Sequence, residues 1–324
     1  MNLLVTGGAG YIGSHFVRLA QNYDHKVTVL DNFSTGNHWA INDCEVLEID
    51  LLDKKKLSKS LSGRSFDGVI HFAAKSLVGE SFQKPNIYYE NNITGTLNLV
   101  SEMLKNNNNN LVFSSSAAIF GNPITNTIDE SHQKKPINPY GKSKLIVENI
   151  LEDLCKYSGL NASSLRYFNA AGADFSSGIG EAHNPETHLI PNILITAIKD
   201  KGSLKIFGKN HNTKDGTCIR DYVHVLDLAQ AHLNAIKFLK SNKGFYPFNL
   251  GNGDGFSVLE VVKECEKTLG RKINYEFSEA RRGDPPVLIA NSEKAEKLLL
   301  WKKEYSSLDQ IISSAYEWHR SWSG

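Results

Sequence analysis

The chain has 324 residues, with 36 basic against 35 acidic side chains and a formal net charge of +1; that length allows two packed cores at the usual ~100–200 residues per domain, and so balanced a charge gives no general attraction for nucleic acid or an anionic membrane. The N-terminus runs from Met1 into Leu3, Leu4 and Val5 and then glycines, without a signal-peptide pattern, and nothing approaches the ~20 apolar residues that a membrane-spanning helix needs. Cys44, Cys155, Cys218 and Cys265 lack metal-ligand spacing and read as free thiols in a reducing cytoplasm, with no metal site expected.

Short apolar, β-branched runs at 3–6, 26–30, 45–49, 68–72, 111–113 and 162–166 predict strands, and helical spacing fills the gaps between them, as in Ile93, Leu97, Val100 and Leu104 or Leu145, Ile146, Ile150 and Leu154. Alternation of this kind predicts an α/β fold with a doubly wound parallel sheet. The asparagine run at 106–110 reads as a solvated turn. After Asn169 glycine and polar residues dominate and the rhythm loosens, which places a Rossmann domain over 1–170 and a smaller C-terminal α/β substrate domain over 171–324, with segments near 217–240 packing back on the first. Ser257 with Glu260 and Ser307 with Gln310 form the pattern of capping boxes and so mark two helix starts in the second half.

The first predicted strand leads straight into Gly7-Gly8-Ala9-Gly10-Tyr11-Ile12-Gly13. Glycines at 7, 10 and 13, opening a helix, let backbone amides and the helix N-terminus approach a pyrophosphate. The second strand ends in Asp31, where a carboxylate accepts from an adenosine ribose and repels a 2′-phosphate, favouring NAD over NADP. Asp50 closes the third strand at the position of the adenine rim.

Tyr140 and Lys144 stand four apart in Pro139-Tyr140-Gly141-Lys142-Ser143-Lys144, hence on one helical face. Spacing alone is weak evidence in a chain with 12 tyrosines. It gains force from Ser114-Ser115-Ser116, which follow a predicted strand and bring Ser116 into play. Oxidising an alcohol requires a base for its proton, and tyrosine, with pKa about 10, needs the Lys144 cation and a positive nicotinamide to serve. Ser116 would orient the hydroxyl.

Carried by these residues, the sequence resembles the UDP-glucose/UDP-galactose 4-epimerases of the extended short-chain dehydrogenase/reductase kind almost from end to end. The matching blocks are V-T-G-G-A-G-Y-I-G-S-H at 5–15, H-F-A-A at 71–74, V-G-E-S at 78–81, F-S-S-S-A at 113–117, N-P-Y-G-K-S-K at 138–144, L-R-Y-F-N-A-A-G-A at 165–173, H-N-P-E-T-H-L-I-P at 183–191, D-G-T-C-I-R-D-Y-V-H-V at 215–225 and R-R-G-D at 281–284.

The resemblance implies NAD contacts from Tyr11 and Ile12, from the loop of Asp31, Asn32, Phe33, Ser34, Thr35 and Gly36, and from Asp50 and Leu51. It adds Phe72, Ala73, Ala74, Lys75, Asn91, Tyr140, Lys144 and Phe168. Ser116, Tyr140 and Lys144 become catalytic. For the UDP-sugar it implies Asn169, Leu189 and Phe207 around sugar and uracil, Arg220 and Arg281 on the diphosphate, and Asp284 on the uridine ribose. It also implies a cytoplasmic homodimer paired through helices at about 81–105 and 140–157. Lysine stands at Lys75 where some members have it at the place of Ser76, and His188 replaces an asparagine.

The expected reaction is reversible hydride transfer at carbon 4 through a 4-keto intermediate, with NAD regenerated. Leu288 occupies the place of a sugar-pocket gatekeeper. A leucine there, smaller than tyrosine, leads us to expect that UDP-N-acetylglucosamine and UDP-N-acetylgalactosamine are also accepted. A 4,6-dehydratase would need an acidic doublet where Ala117 and Ala118 follow Ser116. A non-catalytic NAD-binding regulator would be expected to lose Tyr140, Lys144 or the arginines.

Overall fold

The computed structural model describes residues 1–199, 202–281, 283–305 and 307–322. Its first half runs β1 (Asn2–Thr6), α1 (Tyr11–Asn22), β2 (Lys26–Asp31), β3 (Glu45–Glu48), α2 (Lys54–Leu61), β4 (Gly68–His71), α3 (Val78–Gln83), α4 (Pro85–Tyr89), α5 (Gly95–Lys105), β5 (Asn110–Ser116), α6 (Pro139–Tyr157) and β6 (Asn161–Tyr167). The second half runs β7 (Asn169–Ala171), α7 (Leu189–Lys199), β8 (Leu204–Phe207), β9 (Ile219–His224), α8 (Val225–Leu239), β10 (Phe245–Leu250), β11 (Gly255–Ser257), α9 (Val258–Leu269), β12 (Tyr275–Ser278), β13 (Val287–Leu288), α10 (Glu293–Leu298) and α11 (Leu308–Ser321).

Seven strands form one sheet in the order β10-β6-β5-β4-β1-β2-β3, parallel throughout. Its middle strands are apolar runs because helices cover both faces. On one face α1 and α8 bury Phe16, Val17, Leu228 and Ile236 against Leu3, Val5 and Val112. On the other, α2, α5 and α6 bury Leu57, Leu99, Val100, Val147 and Leu151 against Leu4, Val69 and Leu111. A third core joins α7, α9 and α11 through Ile193, Val261 and Ile311. Both capping boxes form, at the starts of α9 and α11.

Each expected strand of the first half is present, but two local readings change. β5 continues through Ser116, which pairs with Tyr167 of β6, so the three serines belong to the strand. The asparagine run is not simply solvated: Asn108 is buried and its Oδ1 accepts from the Phe66 amide at 2.7 Å, while Asn106 accepts from Gly63 at 2.8 Å. These short amides supply hydrogen bonds that the neighbouring loop's backbone requires.

Beyond residue 170, α8 lies in the segment near 217–240 expected to pack back and sits on the first sheet, and β10, the strand that completes that sheet beside β6, joins it as well. The second region uses its own sheet, β11-β9-β13 with β7 on β9, and the pair β12-β8. Strand order reverses where β1 meets both β2 and β4. Crevices form beyond the carboxyl ends of the strands at such a point.

Between α6, β5 and β6 lies a buried ion pair. Arg166 of β6 meets Glu148 of α6, Nη2 to Oε2 at 2.6 Å and Nε to Oε1 at 2.9 Å, and Ser115 of β5 donates to Glu148 Oε1 at 2.6 Å. Arg166 is 0% and Glu148 2% exposed. Removing one partner of such a pair leaves a bare buried charge, a loss of about 3–5 kcal/mol.

Candidate active site

A cleft of about 1160 Å³ opens at the carboxyl edge of the sheet, more than the ~300–1,000 Å³ that one small ligand usually fills. At one end lies the loop between β1 and α1. Gly7 has φ +71°, and a Cβ on Gly13 would fall 2.2 Å from the Gly7 carbonyl oxygen, so the turn closes more tightly than any side chain permits. The N-cap of α1 is Gly10, with no side-chain cap and no acid in the first turn. Its N-terminal amides therefore meet an anion without competition from the protein's own carboxylates.

Asp31, 7% exposed, accepts from the amides of Ala9 at 3.0 Å and Phe33 at 2.8 Å. Burial raises its pKa against these hydrogen bonds. It thus ties the glycine loop to the loop after β2, and each oxygen retains a lone pair for a ribose hydroxyl. Asp50 accepts from Asn32 Nδ2 at 2.8 Å and from the Leu52 amide at 2.8 Å. Together, the uncapped helix end, the closed glycine turn and the paired acids at the ends of β2 and β3 fit an adenine dinucleotide.

At the middle of the cleft, Asn138 caps α6 by accepting from the Gly141 amide at 2.8 Å, and Pro139 takes the first helical position. A Cβ on Gly141 would fall 2.3 Å from the Ala118 carbonyl oxygen. Its absence lets the helix end press against the turn after β5, bringing Tyr140 and Ser116 to one wall. Lys144 is buried and donates to the Ser114 carbonyl at 2.7 Å, with its Nζ 5.9 Å from the centre of the Tyr140 ring.

Burial raises the Tyr140 pKa, opposed by the Ser116 hydroxyl. The lysine is itself desolvated, its pKa lowered to about 7 against the pull of Glu148.

The far wall comes from the second half. Leu189 begins α7, Phe207 ends β8, and Asn169 begins β7. Arg281 lies over the Phe207 ring at 4.0 Å from its centre. Arg220 pairs with Asp284 and donates to the Ile219 carbonyl at 2.7 Å. Leu288 sits opposite Arg220 in the β13-β9 register and packs with Phe168 beside Ala117, one residue from Ser116. Arg282 of the R-R-G-D block lies outside the described residues.

Every expected site residue lines this cleft except Phe33. Phe33 instead stacks on His38, ring centres 3.6 Å apart, and packs on the core beneath α1. With φ +52°, its backbone turns the ring away from the cleft.

Sequence reasoning missed Asn92. It lies in a π-helical turn, Glu90–Thr94, between α4 and α5. Its Oδ1 accepts from the Lys75 amide at 2.8 Å, and its Nδ2 donates to the Lys75 carbonyl at 3.0 Å and to Ser143 Oγ at 2.9 Å. One amide thus clamps the loop after β4 to the helix of Tyr140. The Asn91-Asn92 doublet was the available signal, since buried asparagine inside a helical pattern demands partners. His71 lies in the H-F-A-A block at 71–74. It bridges Thr6 at 2.6 Å and Thr96 at 2.9 Å, and burial beside Lys144 lowers its pKa to about 3.

His188 does not stand alone at its departure from the family pattern. It and His183 both direct Nδ1 at Glu181, and Glu186 closes the group. Burial works against protonation of His183, but the hydrogen bond to Glu181 and the nearby Glu186 carboxylate carry its pKa up to about 10. The buried Glu181 is drawn down to about 2 by His188 and His183.

The sequence profile of the NAD dependent epimerase/dehydratase family matches residues 3–251. This chain belongs to that family. It is 46% identical to the UDP-glucose 4-epimerase of Halalkalibacterium halodurans over 320 residues, 99% of this chain and 96% of the relative. Among solved structures, the UDP-glucose 4-epimerase of Brucella ovis in complex with NAD superposes with a TM-score of 0.94 at 42% identity, covering 98% of each chain. The UDP-Glc/GlcNAc 4-epimerase of Campylobacter jejuni gives 0.85 at 39% identity, covering 99% of each.

Because a methyl at position 13 must displace backbone, we expect Gly13→Ala to purify with at least about tenfold less NAD than the wild type. Cofactor released on acid denaturation and quantified by chromatography provides the check.

Proposed function

We propose that this member of the epimerase/dehydratase family interconverts UDP-glucose and UDP-galactose. The observation that carries the reading is that one continuous cleft joins the glycine turn, the Tyr140-Ser116-Lys144 wall and the Arg220, Arg281 and Asp284 wall. A dehydrogenase for a small alcohol has no use for the last of these.

Tyr140 removes the proton from the 4-hydroxyl and later returns it, while Ser116 holds that oxygen. The glycine turn, Asp31 and Lys144 would hold NAD, which when bound would accept the carbon 4 hydride and add positive charge to the site. Lys144 keeps the tyrosine helix tied to β5 and supplies the nearest cationic group. Arg220 and Arg281 offer planar guanidinium groups to the diphosphate. In binding, Arg220 exchanges its tie to Asp284, freeing that carboxylate for a ribose hydroxyl.

No described helix is long and apolar enough to cross a membrane. A cytoplasmic setting goes with this reading, since the four cysteines are unpaired. The second partner is another copy of the chain, seated along α5 and α6. Leu97, 39% exposed, lies over a shallow apolar groove lined by Ile93, Val100, Ile150 and Leu154. An antiparallel four-helix packing would cover it.

Three measurements test the proposal. Tyr140→Phe is expected to lower turnover by at least about a hundredfold with NAD retained, and Ser116→Ala less; near-normal turnover in Tyr140→Phe would remove the assignment. Light scattering at micromolar concentration is expected to give twice the chain mass, and a single-chain mass would refute the dimer. At position 288 the leucine leaves room for a 2-acetamido group, whose methyl contact is a gain of about 1 kcal/mol. Wild-type protein is therefore expected to epimerise UDP-N-acetylglucosamine, and Leu288→Tyr to lose that activity while keeping UDP-glucose turnover. Failure of the wild type on the N-acetylated sugar under conditions where UDP-glucose reacts would rule out this breadth.

A further inference from the structure

On the cleft wall next to the glycine turn, Glu181, His183, Glu186 and His188 place one donor atom each within 4.8 Å of one another. They come from a single segment between β7 and α7. Trp318 Nε1 donates to the Glu181 carbonyl at 2.9 Å, and Asn192 Nδ2 donates to the His188 carbonyl at 2.8 Å, so the segment is held at both ends.

The two imidazoles converge on one oxygen, Oε1 of Glu181. Glu186 is differently placed. Its Oε1 accepts from the amides of Thr187 at 2.7 Å and His188 at 2.8 Å. Its Oε2 is buried, has no hydrogen-bond partner, and lies 3.7 Å from His183 Nδ1, on a side chain 8% exposed. A buried carboxylate oxygen without a partner costs free energy, and native structures rarely leave one so. Among the described residues no other group of three or more histidines, cysteines and acids is close enough to hold a metal ion.

We propose that these four side chains form a binding site for a divalent transition-metal cation, zinc being the best fit. Two imidazole nitrogens and two carboxylate oxygens suit zinc, cobalt or nickel, whereas calcium and magnesium favour all-oxygen sets. Zinc holds such ligands at about 2.0–2.2 Å in a tetrahedron, so its donors stand ~3.3–3.6 Å apart. The four donor atoms, already within 4.8 Å of one another, rearrange around the ion to that spacing. The orphaned Glu186 oxygen then gains its partner, and Glu181 no longer has to satisfy two imidazoles with one oxygen.

The location gives the cation a role. His183 and His188 line the cleft, and the His183 ring meets the edge of Tyr11, ring centres 6.2 Å apart. Leu189 follows the last ligand directly. A cation here fixes the segment that carries Leu189 into the substrate wall, and it adds positive charge beside the turn that receives the dinucleotide. The inference rests on this cluster and stands apart from the sugar specificity proposed above.

The test uses the NAD-loaded protein, stripped of adventitious metal with a chelator. Titration with zinc by calorimetry is expected to show one saturable site per chain, with magnesium unable to compete. Cobalt at the same site is expected to give visible ligand-field absorption. Zinc is expected to raise the melting temperature, as any ligand selective for the folded state does. In His183→Ala and Glu186→Gln, affinity is expected to fall by more than the ~10–100-fold that loss of an outer-shell partner costs, and the zinc-dependent melting shift to vanish. His188→Asn, altering a half-exposed side chain, serves if the other variants do not fold. Absence of saturable zinc binding overturns the proposal. So does binding that survives unchanged in the folded variants, which would place the metal elsewhere.

Discussion

The seating of α6 on the sheet depends on a charge that has nowhere else to go. Glu148 is two turns below Tyr140 and one below Lys144, so the three share a helical face, and its carboxylate is buried against Arg166 and Ser115. Neither ion has water to fall back on. The helix therefore has one acceptable register against β5 and β6, and that register sets Lys144 on the Ser114 carbonyl and Tyr140 beside Ser116. Gly141 completes the fit by removing the one side chain that would hold the helix end away from the Ala117–Ile119 turn. Desolvating the pair costs free energy that only close, well-bonded geometry offsets, a positional demand that a loosely packed apolar contact would not impose.

Electrostatically the cleft has two characters. Around Tyr140 and Lys144 charge is suppressed: burial raises the phenol's pKa and lowers the amine's. Around Arg220, Asp284 and the group at 181–188, opposite charges already face one another. A desolvated centre suits proton and hydride movements whose charges appear transiently, and a prepaired rim lets an anionic ligand exchange for an existing partner instead of entering a bare field.

Much of this was legible in the residues. The six first-half strands, the glycine turn and the Tyr140-Lys144 face follow from local rules: apolar runs, glycine where backbone must approach backbone, and four-residue spacing on a helix. Leu189, Phe207, Arg220, Arg281 and Asp284 came from resemblance, since nothing in their own neighbourhoods says that they share a wall. What stayed hidden depends on contacts distant in sequence. Asn92 acts through Lys75 and Ser143, which its own surroundings do not disclose. Phe33 sits in the loop that the resemblance assigns to NAD, yet its positive φ sends the ring to His38. The serines at 114–116 looked like a strand end because their polarity breaks the apolar run, while pairing with β6 keeps them extended.

The late arrival of β10 has a consequence for how the chain is made. Until residues 245–250 emerge from the ribosome, β6 is the outer edge of the sheet, a fully buried strand in the finished molecule that offers unpaired amides and carbonyls. The helix α8, which covers one face of the same sheet, arrives only shortly before. A nascent chain of some two hundred residues thus holds every part of the glycine turn and the tyrosine helix around an open, adhesive border. Closing it requires a contact across about eighty residues, from Ala162 to Phe245, and such distant pairings form slowly. The dinucleotide half is therefore first in sequence yet stays open until the chain has passed β10, an interval in which an exposed strand edge invites chaperone capture and edge-to-edge aggregation.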